Sequence, residues 1–76
     1  MKRPSPTQER LLRAMEECGP LPDYYNLATT RALVRNLWVE EFGELMEPHL
    51  VYMRRMLRIT TRGRWALRRL DVERAA

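Results

Sequence analysis

Arginine is the residue through which this 76-residue chain could do chemistry. Arg54, Arg55, Arg58, Arg62 and Arg64 crowd into one stretch, and Arg31 and Arg35 lie one helical turn apart upstream. A guanidinium is a planar fork whose parallel N–H donors fit a phosphate or a carboxylate in bidentate fashion. Cations spaced like those of 54–64 would track a nucleic-acid backbone and supply most of the affinity. Arg31 and Arg35 could reach base edges, where a bidentate arginine–guanine pair discriminates by about 1–3 kcal/mol. The competing reading is internal. The same side chains form a solvated face and pair with Glu16, Glu17, Glu40 or Glu44 of the first half.

The charge distribution sharpens the question without answering it. Residues 1–47 carry six basic against eight acidic side chains, residues 48–76 carry eight against two, and no acid occurs from Pro48 to Leu70. Such a split suggests an anionic partner for the basic part. The chain has a single lysine, so arginine serves nearly every positive role, and composition alone could produce the same cluster.

Other chemistries are poorly provided for, and neither an enzyme nor a cofactor or metal site is expected. His49 is the one ordinary general base near neutral pH, and it cannot build a zinc site with the lone Cys18. Ser5 is better used as a helix cap than as a nucleophile. Cys18 falls on the apolar stripe of the first helix and reads as a core residue. Glu40, Glu41 and Glu44 read as a solvated helix face. There is no glycine-rich phosphate loop and no small-molecule substrate is implied. Ser5-Pro6-Thr7-Gln8 follows the first basic residues where a secretory signal would be apolar. No stretch approaches the length needed to span a bilayer. A reducing cytoplasm is the expected setting.

These side chains must be positioned by a single small domain, 1–76, with residues 1–4 and 75–76 expected to be disordered. Ser5 as N-cap, Pro6 as first helical residue and Gln8 as reciprocal partner open a helix. Leu11, Leu12, Met15 and Cys18 form its apolar stripe, and Gly19-Pro20 ends it. Gly19 to Asp23 form a stiff proline-rich connector. Asp23 caps a short turn through Tyr24, Tyr25 and Asn26. Leu27, Val34, Leu37, Trp38, Phe42 and Leu45 share one side of a helical pattern. It divides into a short helix before Thr29 and a longer one over Thr30–Leu45, capped by Thr29 or Thr30. Residues 50–59 fit equally a helix or two strands about an Arg54-Arg55 tip. A last helix runs from Thr61 to Arg74, capped by Thr60 or Thr61, with Trp65, Ala66, Leu67 and Leu70 as its apolar surface.

The segment Leu57-Arg58-Ile59-Thr60-Thr61-Arg62-Gly63-Arg64-Trp65-Ala66-Leu67 resembles the end of many bacterial winged-helix (winged helix-turn-helix) domains. There the second wing strand reads apolar-Arg-apolar-Thr, followed by two variable residues, Gly-Arg and an Ala-Leu helix. Ile59, Thr60, Gly63, Arg64, Ala66 and Leu67 match in register. The resemblance implies an α+β fold, mostly α, of three helices, a short two-stranded wing and a C-terminal helix. Leu50–Met53 and Met56–Ile59 would be the wing strands, with Arg54 and Arg55 at the tip. Thr30–Leu45 would be the recognition helix, entering the major groove near Arg31 and Arg35. Because that helix would end in Glu40, Glu41, Glu44 and Glu47, only its first two turns could approach phosphate. The implied function is binding of double-stranded DNA in a small regulatory protein of transcription, as a homodimer.

The alternative architecture is an all-α four-helix domain, and the alternative function is a protein-interaction module. Trp38, Trp65, Phe42, Tyr24 and Tyr25 are many large groups for so short a chain, and exposed Trp, Tyr and Arg are the usual interface anchors. An accessory or inhibitory protein on a partner surface, or a homodimerisation domain, belongs to this class. A membrane-surface role for the basic amphipathic C-terminal helix is a weaker third, and no membrane partner is expected.

Overall fold

The computed structural model describes residues 2–23, 28–45 and 53–76. Within them the order is α1 (Pro6–Cys18), β1 (Leu21–Pro22), α2 (Ala28–Arg35), β2 (Val39–Leu45), β3 (Met53–Ile59) and α3 (Thr61–Ala75). The fold is α+β and mostly helical, with one antiparallel sheet in the order β1-β3-β2. The all-α alternative is thereby excluded.

The start of α1 follows from its sequence. The Gln8 amide donates to Ser5 Oγ at 3.2 Å and the Ser5 amide donates to Gln8 Oε1 at 2.7 Å, which closes the capping box. Gly19 turns the chain out of the helix at φ 88°, its amide still donating to the Met15 carbonyl at 2.9 Å. Cys18 is exposed rather than buried. The stripe of α1 sinks into the core through Leu12 and Met15, and Cys18 is the last helical residue, one turn beyond. The connector after it is more ordered than a proline-rich loop. Leu21 and Pro22 pair with Leu57 and Met56 as a short edge strand, a position that tolerates a proline lacking an N–H.

The largest departure from expectation falls on Thr30–Leu45, which is not one helix. α2 stops at Arg35, and Thr29 and Thr30 lie within its first turns instead of capping it. The chain closes the helix end with the Trp38 amide donating to the Leu33 carbonyl (3.1 Å) and the Leu37 amide to Val34 (2.9 Å). This is the Schellman arrangement, and Leu37, at φ 62°, takes the left-handed position that glycine usually fills. Val39–Leu45 then runs as a strand. Its alternation of Glu40, Phe42 and Glu44 with Val39 and Glu41 has the period of a pleated strand, and it meets a partner of matching period in β3. Arg54 and Arg55 are therefore not a hairpin tip. They sit inside β3, opposite Glu44 and Gly43 of β2. The sheet has three strands, so a two-stranded wing built from Leu50–Met53 and Met56–Ile59 is not what forms. The turn expected at Asp23–Asn26, the helix expected before Thr29, and Leu50 to Tyr52 fall wholly or partly outside the described residues.

The core gathers Leu12 and Met15 from α1, Leu33 from α2, Trp38 and Val39, Leu57 and Ile59 from β3, and Ala66 and Leu67 from α3. Removing a fully covered leucine here leaves a cavity and costs about 2–5 kcal/mol, a large share of what so small a domain can hold.

Two contacts fix α3 against the rest. The first is close packing at Gly63. A Cβ there would collide with the Trp38 carbonyl oxygen and lie 2.8 Å from Ile59 Cγ1. The second is an ion cluster joining α3 to α1. Arg74 donates to both Glu9 carboxylate oxygens (2.7 and 2.6 Å), and Arg13 bridges Glu9 (2.8 Å) and Asp71 (2.7 Å). The Arg74 and Arg13 hydrogen bonds pull the Glu9 pKa from 4.5 down to about 2.

Two measurements check these contacts. Gly63→Ala should lower the denaturation midpoint, by roughly 1–3 kcal/mol of stability for an overpacked site, while leaving helical content intact. Because the folded-state pKa of Glu9 is depressed, its contribution is fully present above the unfolded value of 4.5 and is lost as pH falls toward about 2. Denaturation midpoints should fall across that window, and Glu9→Gln should flatten the slope. An unchanged slope in Glu9→Gln would remove the cluster from the account.

Candidate functional site

The seven candidate arginines separate into two groups with different surroundings. On the sheet face directed away from the main core cluster, Glu40, Phe42 and Glu44 of β2 stand directly opposite Arg58, Met56 and Arg54 of β3. Register turns this into a ladder of charge, apolar and charge pairs. Arg58 pairs with Glu40 and lies over the Phe42 ring, 4.8 Å from its centroid. Arg54 donates to Glu44 at 2.6 Å. Arg55 projects from the other face beyond the end of the core, with Glu41 at 3.7 Å and Asp23 at 3.9 Å. Each pair of this kind contributes about 0.2–1 kcal/mol when exposed. More important is the sign: every arginine on this sheet has a carboxylate in reach, so the strand region presents little net positive field.

Three of the four glutamates expected at the end of a recognition helix over Thr30–Leu45 are these same groups, and Glu47 lies outside the described residues. Glu40, Glu41 and Glu44 belong to β2, not to α2. α2 itself, Ala-Thr-Thr-Arg-Ala-Leu-Val-Arg, holds no acid, and its Arg31 and Arg35 are exposed. Arg62 and Arg64 lie in the first turn of α3, also exposed. At 100° per residue they diverge by about 200° around the helix, so they address different surroundings. Among the described residues no carboxylate pairs with Arg35, Arg62, Arg64 or Arg68, whereas Arg3, Arg13, Arg69 and Arg74 are engaged in ion pairs. Arg10 of α1 and Lys2 likewise have no carboxylate partner among the described residues, so the cations without an ion pair are spread over Lys2, α1, Arg35 of α2 and the outer side of α3.

Arg62 borders a cleft of about 400 Å³ between the end of α2 and the first turns of α3. Trp38, Trp65 and Ala66 form its apolar walls, and Asn36, Thr61, Arg62 and Lys2 its polar rim. Trp38 is buried, but Trp65 is 66% exposed and adds little to the core. A signal for this was present in the sequence. Gly63, Ala66, Leu67 and Leu70, all buried, share one side of the helix. Trp65 and Val72 fall on the opposite side, and both are exposed. Nothing in the sequence marked Leu37, 60% exposed in a left-handed backbone conformation between two residues of the cleft.

Among the described residues no group of three His, Cys, Asp or Glu side chains could hold a metal ion, and no helix is long and apolar enough to cross a membrane. His49 lies outside them. No family model, curated protein or solved structure matches the chain.

The ladder makes a direct prediction. Reversing one charge, Arg58→Glu, should destabilise the domain, and restoring the pair in swapped order with Glu40→Arg should recover most of the loss. The coupling measured in that double-mutant cycle should be about 0.2–1 kcal/mol. Additive single effects would mean that the two side chains do not interact.

Proposed function

We propose that the chain is a winged-helix-type DNA-binding module of a small regulatory protein, with α2 as its recognition helix and β2–β3 as its wing. The observation that carries this reading is the acid-free, arginine-bearing surface of α2, on a helix set between β1 and β2. The order helix, short strand, helix, strand, strand, helix with β1-β3-β2 pairing suits a wing that follows the recognition helix directly. The Thr60-x-x-Gly63 junction, which carried the family resemblance, has a physical role here. Thr60 caps α3, and Gly63 lets that helix lie on the Trp38 backbone.

The contacts in this proposal differ from those expected of the sequence. Arg54, Arg55 and Arg58 serve the sheet, while Arg31 and Arg35 approach the groove and Arg64 contributes phosphate contacts from α3. Few phosphates are then neutralised. With about three contacts the logarithm of affinity should fall with the logarithm of salt at a slope near −3.

Binding to a short duplex DNA, followed by anisotropy between about 50 and 200 mM salt, tests this. Arg64→Ala should weaken binding to all sequences alike and reduce the slope by about one, and Arg35→Ala should relax base preference. Arg58→Ala should leave affinity unchanged. Absence of binding at low salt, or affinity indifferent to salt, would end the proposal.

A further inference from the structure

The cleft at the start of α3 is not needed for DNA contact by α2, and its lining is distinctive. Its walls are the Trp38, Trp65 and Ala66 side chains, its rim carries Lys2 and Arg62, and none of its lining residues is acidic. We infer that this cleft docks an acidic peptide segment of a protein partner, one that carries a large apolar side chain beside its carboxylates.

Charge complementarity selects the occupant. The two rim cations, joined by Arg64 and Arg68 elsewhere on the exposed side of α3, leave a positive surface with no internal counter-charge among the described residues. A carboxylate accepts well from Arg62, and a bulky apolar group fills the space beside the Trp65 indole. A cleft of about 400 Å³ is of side-chain dimensions. Exposed Trp with adjacent Arg is the composition that dominates interface energetics.

Two other occupants fit less well. A second copy of the chain packing through α3 would use Trp65 and Val72, one heptad apart on the exposed face. That stripe has Arg68 at its middle, so pairing α3 with its own copy in antiparallel order sets Arg68 near its counterpart, a like-charge contact in a closed interface. A duplex presents phosphates and no large apolar group to a concave apolar wall.

The probe is a fluorescein-labelled peptide, Asp-Glu-Phe-Asp-Glu-Leu-Asp, with a control in which Phe and Leu are replaced by Gly at the same charge. Anisotropy on the full chain should show binding of the first. The control should bind at least about tenfold more weakly, and Trp65→Ala or Arg62→Glu should each cost the first peptide roughly tenfold or more. Both positions are exposed, so folding is checked by an unchanged denaturation midpoint. Arg35→Ala, which bears only on base preference in the DNA reading, should leave the peptide bound. Equal binding of both peptides reduces the effect to diffuse charge and overturns the inference, as does no binding or indifference to Trp65→Ala. Should duplex DNA displace the peptide while Trp65→Ala weakens DNA to the same degree, the cleft belongs to nucleic acid, which also overturns it.

Discussion

The carbonyls of Leu37 and Trp38 are the point at which α2, β2, β3 and α3 are tied together. The Thr60 amide donates to the Trp38 carbonyl at 2.9 Å, and the Thr60 hydroxyl donates to the Leu37 carbonyl at 2.6 Å. The same hydroxyl accepts from the Gly63 amide at 3.0 Å, so one threonine both caps α3 and anchors it to the end of α2. That arrangement requires the helix backbone to approach the Trp38 carbonyl more closely than any side chain would permit, which is why position 63 is glycine. It also requires the chain to leave α2 through a left-handed residue, and Leu37 supplies it at a conformational cost. The core under this junction is small, and the domain has no disulfide to compensate. A few hydrogen bonds at one junction therefore decide how α3 lies on the sheet.

Electrostatics is distributed by the same geometry. The sheet pairs its arginines with nearby carboxylates, the α1–α3 cluster consumes Glu9 and Asp71 with Arg13 and Arg74, and Glu73 is taken by Arg3 and Arg69. What remains uncompensated is placed where helices meet solvent. Net charge is a property of the whole chain, but the field that a partner meets depends on which cations fail to find an internal anion. Among the described residues they include Arg35 of α2 and Arg62, Arg64 and Arg68 on the exposed side of α3, the last group beside an apolar cleft. The two proposed activities use different parts of that surface, and a basic chain of this size can carry both.

The ends of α1 and the start of α3 were the best legible part of the fold, whereas both ends of α2 were not. Ser5, Pro6 and Gln8 start α1, Gly19 ends it, and Thr60 caps α3, because caps depend on neighbours within a turn and on little else. The strand character of 53–59 was legible only as one of two alternatives. Leu50, Met53 and Leu57 also share a helical face, and local pattern has no means of choosing between them. The apolar residues of 34–45 gave a helical period over a stretch in which only the first part is helical. Among the arginines, types and positions were legible, but partners were not. Glu40 and Arg58, eighteen residues apart, become neighbours only through antiparallel register.

By itself the chain determined how α1 begins and ends and how α3 is capped, how its charge is divided along its length, and that arginine supplies nearly all of its cations. These follow from side-chain chemistry and spacings within a turn or two. Only the tertiary structure decided that the glutamates of 40–44 belong to a strand and neutralise the arginines of β3, and that Trp65 faces outward onto a cleft. A strand acquires its hydrogen bonds from a partner distant in sequence, and a side chain's exposure depends on what packs against its element, so neither is written in local pattern.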